Sequence, residues 1–179
     1  MIPYIDKQWT LFLDRDGVIN ERPVYDYVRN PDGFIFLPGV TEAIRLLSIV
    51  FGRIILVTNQ QGVGLGLMSK NDLDKVHEKM LFEIKESGGR IDAIYCCTDV
   101  KTKIDNCRKP DSFMAESARK QFPEIQFSHS IMAGDTSSDI LFGKQVGMKT
   151  VQIGNEVLTT AADMQFKSLY QFARYCINQ

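Results

Sequence analysis

The sequence predicts an α/β protein built on a doubly wound parallel sheet with helices on both faces. Three observations carry that reading. Short apolar runs alternate with helix-period segments along most of the 179 residues. The runs are nearly continuous in apolar character, as strands covered on both faces are. The βαβα order favours parallel pairing, because a parallel neighbour is reached through a helical crossover.

Thr10–Leu13 is the first strand and ends at Asp14. Pro38-Gly39 introduces a helix over Val40–Val50, with Ile44, Leu47 and Val50 at helical spacing. Arg53–Thr58 (RIILVT) is the second strand, rich in β-branched residues. Ser69 with Asp72 three residues on reads as a capped start for a helix to Glu86. Leu73, Val76, Met80, Leu81 and Ile84 mark its buried face, and Gly88-Gly89 ends it. Ile91–Cys97 is the third strand, and Pro110 suits the first turn of a helix running to Gln121. Ser130–Ala133 and Lys149–Ile153 are the remaining strands, separated by a helix over Ser137–Val146 that Gly147 stops. A last helix covers Lys167–Ile177. Glu21–Leu37 and Thr98–Lys109 stay unassigned. Both follow a strand, on the edge where α/β folds bind ligands, and long loops there tend to carry function.

Composition narrows the function classes. Length and an ordinary 44% apolar, 24% charged make-up predict one domain over residues 1–179. A net charge of −1 provides no field to draw the chain onto nucleic acid or an anionic membrane. The first twenty residues have an early Asp6 and no apolar core of a secretory signal, and no apolar run is long enough to span a bilayer. A cytoplasmic monomer is expected. Its four cysteines (Cys96, Cys97, Cys107, Cys176) are then expected as reduced thiols.

The candidate chemistry sits at the ends of strands. Asp14 and Asp16 flank Arg15 and precede Gly17 at the end of the first strand. A carboxylate there, followed by a second on a turn, suits a nucleophile with an acid/base partner; on its own the same tetrapeptide also reads as a solvated turn. Thr58, followed by Asn59 and Gln60, ends the second strand with a hydroxyl able to meet phosphate oxygens. Lys109 stands just before Pro110 at a helix start, where lysine and helix dipole favour the same anion. Asp135 and Asp139 follow the fourth strand and can serve a hard cation such as Mg²⁺; otherwise Asp135 would cap the next helix. In a parallel sheet these strand ends share one edge, so two acids, a hydroxyl, a lysine and a further acid meet there.

That set, in that order, resembles the haloacid-dehalogenase-like phosphohydrolases. FLDRDGVIN, PDGFIFLPGV, VTNQQGVG, NCRKP and MAGDTSSDI are similar to the branch that holds heptose-bisphosphate phosphatases and the phosphatase half of histidine-biosynthesis enzymes. The resemblance spans Leu11 to Ile153 and implies a Rossmann-like sheet without a separate cap domain. Three loops, Glu21–Leu37, Gln61–Met68 and Thr98–Arg108, would then shape the pocket. It further implies a Mg²⁺-dependent phosphomonoesterase working through an aspartyl phosphate. Asp14 would be the nucleophile and Asp16 the acid/base. Thr58 and Lys109 would stabilise the phosphoryl group. The metal would be held by Asp14, Asp135 and the Asp16 carbonyl, with Asp139 supporting from nearby. Asn59, Gln60 and Arg108 would touch the substrate, a small phosphorylated sugar or metabolite. A heptose 1,7-bisphosphate cut at C7 is the first expectation and histidinol phosphate the second. Leu65 departs from the heptose pattern, where arginine is frequent, and Glu21–Tyr27 runs slightly long. A catalytically silent binding protein on the same fold would be expected to lose Asp14 or Asp16, and both are present.

Two signals are read as decoys. Gly62-Val63-Gly64-Leu65-Gly66 lacks the glycine spacing of a dinucleotide loop and is read as a flexible pocket loop. A structural zinc, which the family often carries at the loop that Cys96, Cys97 and Cys107 flank, is not expected. Cys96 and Cys107 keep two of its places, but Thr98 and Asp105 stand where histidine and cysteine would be. His77 and His129 are read as structural, and Trp9 as core.

Overall fold

The structure is a computed structural model that describes residues 4–24 and 26–179. Its centre is a six-stranded, all-parallel sheet in the order β3-β2-β1-β4-β5-β6. The strands are β1 (Thr10–Leu13), β2 (Arg53–Asn59), β3 (Ala93–Cys97), β4 (Ser130–Gly134), β5 (Lys149–Ile153) and β6 (Met164–Phe166). The helices are α1 (Val40–Val50), α2 (Gln61–Gly64), α3 (Lys70–Glu86), α4 (Phe113–Gln121), α5 (Ser137–Gln145) and α6 (Leu169–Ile177). This is the doubly wound, Rossmann-like arrangement the sequence predicts. Among the described residues no cap domain stands apart from it.

Strand periodicity sorts the core into two layers. Leu11 and Leu13 of β1 face α1, α3 and α6, joined there by Ile54, Leu56, Ile131 and Val151. Phe12 points the other way with Ile55, Val57 and Met132, toward Met114 and Ala118 of α4 and Phe142 of α5. Trp9 is buried in the first layer. Because both faces are covered, the central strands carry no polar face, which is why their sequences read as unbroken apolar runs.

Helix starts follow side-chain chemistry. Ser69 and Asp72 form the expected capping box at α3. Thr136 and Asp139 form another at α5, which begins at Ser137 as expected and takes Thr136 rather than Asp135 as its cap. The helix expected from Pro110 begins only at Phe113. Residues 108–111 make a turn closed by Asp111 N–H on the Arg108 carbonyl, and the Asp111 carboxylate then takes the Phe113 N–H. Strand β3 starts two residues later than expected, at Ala93, because Asp92 turns its carboxylate onto the Ile54 N–H at 2.7 Å.

The winding reverses between β1 and β4. Leu13 lies beside Ala133 in register, and Asp14 N–H donates to the Ala133 carbonyl at 3.0 Å. Crevices at such reversals, beyond the carboxyl ends of the strands, are where open α/β sheets hold ligands.

Candidate active site

At this reversal Asp14, Asp135 and Asp139 offer oxygens that all lie within 4.8 Å of one another. Asp14 stands at the end of β1 and Asp135 just beyond β4, so the pairing of the two strands brings them together. Burial raises the Asp14 carboxyl to about 6, against the attraction of Lys109, with Asp139 and Asp16 adding to the rise. Burial also lifts Asp135, to about 8, reinforced by Asp14 and Asp139 and opposed by Arg22 and Lys109. Both acids therefore hold their protons more tightly than free carboxyls do.

Lys109 is the buried counter-charge. Its Nζ lies 2.8 Å from Asp14 Oδ1 and 2.6 Å from Asp139 Oδ1, and donates to the Val57 carbonyl at 2.8 Å. Burial opposes its charge, but Asp139 and Asp14 outweigh it and raise the ammonium to about 12. All three of its donors are therefore engaged. Asp139 joins the cluster through one oxygen while the other caps α5, accepting from Thr136 N and Oγ1. Asn59 fixes the backbone of Lys109 from both sides, accepting from its N–H at 3.0 Å and donating to its carbonyl at 3.3 Å.

Asp16 is held by a separate network. Arg15 grips both of its carboxylate oxygens, Asn20 donates to Oδ1 at 2.9 Å and Gln60 to Oδ2 at 2.7 Å. Burial works to raise this carboxyl, but the Arg15 charge and these hydrogen bonds prevail and hold it below the usual carboxylate range. Arg15 itself is 0% exposed and also donates to His77 Nε2 at 3.2 Å. Burial, with Arg15 second, lowers that imidazole to about 4, so His77 is a neutral acceptor at pH 7. It is structural, as read from the sequence, but for a partner that periodicity could not reveal.

The structure corrects one expected substrate contact. Gln60 is buried, and its amide bridges Asp16 and Thr58 Oγ1 rather than facing the cavity. The neighbouring cavity of about 570 Å³ is lined by Asp14, Asp16, Asn59, Arg108 and Lys109, together with Arg22 and Lys101. Arg108 steadies one guanidinium nitrogen on the Asp99 carbonyl at 3.2 Å. Gln61 was missed at the sequence level. It donates to the Tyr27 hydroxyl and accepts from Lys101 N–H, so one side chain ties the three pocket loops together. Of the glycines around it, Gly62 and Gly64 serve packing, contrary to the flexible loop expected. They form part of the helical turn α2, and a Cβ at Gly64 would lie 2.3 Å from the Thr98 carbonyl.

The cysteine loop departs from expectation more sharply. Cys97 and Cys107 form a disulfide, so the expectation of four reduced thiols is wrong at this pair. The cysteine that faces Cys107 is Cys97, not Cys96; alternation along β3 sends the two side chains to opposite faces, and Cys96 and Cys176 remain free. The bridge spans ten positions and ends one residue before Arg108. Reduction, or Cys107→Ser, should lower unfolding stability by about 2–3 kcal/mol, the usual worth of closing so short a loop. Chemical unfolding with and without a reductant checks this.

Comparison with known proteins places the arrangement. A family model described as "HAD-hyrolase-like" matches residues 106–173. A D-glycero-alpha-D-manno-heptose-1,7-bisphosphate 7-phosphatase of Mycobacterium tuberculosis is 39% identical over 171 residues, covering 93% of this chain and 90% of the relative. The chain belongs to the haloacid-dehalogenase-like phosphatases. A D-glycero-beta-D-manno-heptose-1,7-bisphosphate 7-phosphatase of Rhodopseudomonas palustris is 34% identical over 144 residues, covering 76% of this chain and 78% of that one. Among solved structures, the D,D-heptose 1,7-bisphosphate phosphatase of B. bronchiseptica, complexed with magnesium and phosphate, superposes with a TM-score of 0.85 at 26% identity. That match covers 95% of this chain and 98% of the other.

Proposed function

We propose that this protein is a Mg²⁺-dependent phosphomonoesterase that removes the C7 phosphate of a heptose 1,7-bisphosphate in the cytoplasm, acting as a monomer. The observation that carries the reading is the buried Asp14–Asp135–Asp139 cluster at the sheet's reversal, bridged by Lys109, beside a cavity with basic side chains. The α-configured sugar is the first to test, because the relative named for the alpha heptose is 39% identical and the one named for the beta heptose 34%.

The cluster fits a hard cation. Its donors are all carboxylate oxygens, and Asp135 Oδ1 is buried without a hydrogen-bond partner. Asp14, Asp135 and the Asp16 carbonyl would hold the ion, with Asp139 fixed close by. Mg²⁺ would neutralise the phosphoryl oxygens and lower the repulsion met by an anionic nucleophile.

The side chains do the rest. The Asp14 carboxylate attacks phosphorus in line, forming its O–P bond as the bond from phosphorus to the sugar oxygen breaks. Lys109 has no spare donor, so it contributes by holding Asp14 in place and by its charge. Thr58 accepts its bond from Gln60, leaving its own hydroxyl proton for a phosphoryl oxygen. Asp16 protonates the departing sugar oxygen. Its network keeps it ionised beforehand, and the doubly negative phosphoryl group arriving beside it supplies the like charge that raises it. In the second step Asp16 takes the proton of the attacking water, and phosphate leaves Asp14. The same network returns Asp16 to its ionised form, ready to accept that proton.

Arg108 is placed to fork onto the sugar or its remaining phosphate. Arg108→Ala should therefore reduce kcat/KM for the heptose bisphosphate by about 10²-fold or more, while changing p-nitrophenyl phosphate hydrolysis by less than about threefold. Phosphate-release assays on the two esters test the assignment. Equal losses on both would remove Arg108 from substrate recognition.

The raised Asp14 and Asp135 carboxyls set a pH dependence. Between about pH 4 and 8 these two groups bind more protons in the folded cation-free protein than in the unfolded chain, so the stability they contribute should fall as pH rises. A cation must displace those protons, so the Mg²⁺ concentration for half-activation should drop from pH 6 to pH 8. Chelation by EDTA should abolish activity, and added Mg²⁺ should restore it. A pH-independent half-activation point would contradict this account of the cluster.

A further inference from the structure

Arg22 lies on the loop after β1, where no catalytic motif points to it. Its backbone is nonetheless well placed. Asn20 bridges to both Asp16 and Phe36, and Glu21 N–H donates to the Ile35 carbonyl at 2.9 Å, so the loop leaves the sheet edge in a fixed direction. From there the Arg22 guanidinium reaches across 113 residues of sequence and donates to Asp135 Oδ2, while its other terminal nitrogen lies 3.8 Å from Glu156. The Asp135 side chain is 7% exposed and that of Arg22 38%.

The two oxygens of Asp135 are therefore unlike. Oδ2 is committed to Arg22 and packs over Gly17, where a Cβ would lie 1.9 Å from it. Gly17 has a φ of 87°, so the turn that admits the carboxylate also needs glycine for its backbone. Oδ1 is buried without any partner. A carboxylate held at one oxygen and packed against Gly17 has little room to rotate, so the other oxygen keeps one direction.

We propose that Arg22 is a positioning residue that divides the Asp135 carboxylate, holding Oδ2 so that Oδ1 is presented to the divalent cation. This rests on the cation-site reading given above. Metal-ligating carboxylates are commonly oriented by hydrogen bonds from outside the ligand set, and losing such a partner typically costs 10–100-fold in metal affinity. Arg22 also brings charge, and a cation nearby would by itself weaken metal binding. Because the free oxygen and the engaged one are different atoms, the two positive groups do not need the same site. Glu156 and the solvent at the half-open guanidinium damp their repulsion.

The test is calorimetric titration of Mn²⁺ into the cation-free full-length protein, which needs no substrate and no turnover. Arg22→Met keeps an aliphatic stem but removes every donor, and should raise the Mn²⁺ Kd roughly 10–100-fold. Arg22→Lys should recover part of that loss. Binding to the Arg22→Met variant as tight as wild type, or tighter, would overturn the proposal, since tighter binding is what a mere competitor for Asp135 would produce. Asp135→Asn separates the two levels. If it binds Mn²⁺ like wild type, the cation site itself is wrong; if it loses Mn²⁺ while Arg22→Met does not, only the role of Arg22 fails.

Discussion

Asp14→Asn should reduce turnover by at least about 10⁴-fold, because the amide keeps the shape of the side chain but removes the nucleophile. The fold should survive. Asp14 is one of three crowded buried acids, and burial together with Asp139 and Asp16 already pushes its carboxyl up to about 6. A neutral amide relieves that crowding, and Lys109 retains Asp139 at 2.6 Å as its partner. The unfolding midpoint of the cation-free variant is therefore expected at or above that of wild type. Loss of activity with unchanged or improved stability is the signature of a group kept for chemistry rather than for structure.

Lys109→Met should fail in both respects. Its ammonium is buried, touches Asp14 and Asp139, and ties the loop after β3 to the Val57 carbonyl of β2. Removing it leaves two carboxylates buried without their counter-charge, a change that typically costs about 3–5 kcal/mol. Activity should fall on the heptose bisphosphate and on p-nitrophenyl phosphate alike, since Lys109 serves the phosphoryl end common to both. Urea unfolding at neutral pH, set beside the two assays, checks this. Lowering the pH should return part of the stability, because protonating Asp14 and Asp135 removes charge that the lysine no longer balances.

The sheet is legible in the sequence because its strands are buried on both faces, which writes them as continuous apolar runs. Two elements are not: β6, a three-residue edge strand whose Met164 and Phe166 are only half-buried, and α2, a single helical turn built on Gln61-Gly62-Val63-Gly64. Neither is long enough to show a period. At the site, the meeting of Asp14 and Asp135 was legible because strand ends are local features, and β1 and β4 then pair as a parallel sheet requires. Lys109 was legible from its place before Pro110. The supporting residues were not. Arg15 sits between two acids with nothing in the local sequence to mark it as buried, yet it is fully buried on Asp16 and His77. Gln60 reads as a residue facing a ligand, but the turn into α2 directs its amide back onto Asp16 and Thr58. The Cys97–Cys107 bridge depended on which of two adjacent cysteines faces the loop, a matter of strand alternation and register that begins two residues from the expected strand start.

The account rests on Asp14 becoming covalently phosphorylated. Quenching the enzyme with borohydride during steady turnover of heptose 1,7-bisphosphate and Mg²⁺ would reduce an aspartyl phosphate to homoserine, which peptide mass spectrometry can locate. Homoserine at position 14, dependent on both substrate and cation and absent from Asp14→Asn, is the predicted result. Sustained turnover with position 14 unmodified, or with the label on another side chain, would contradict it.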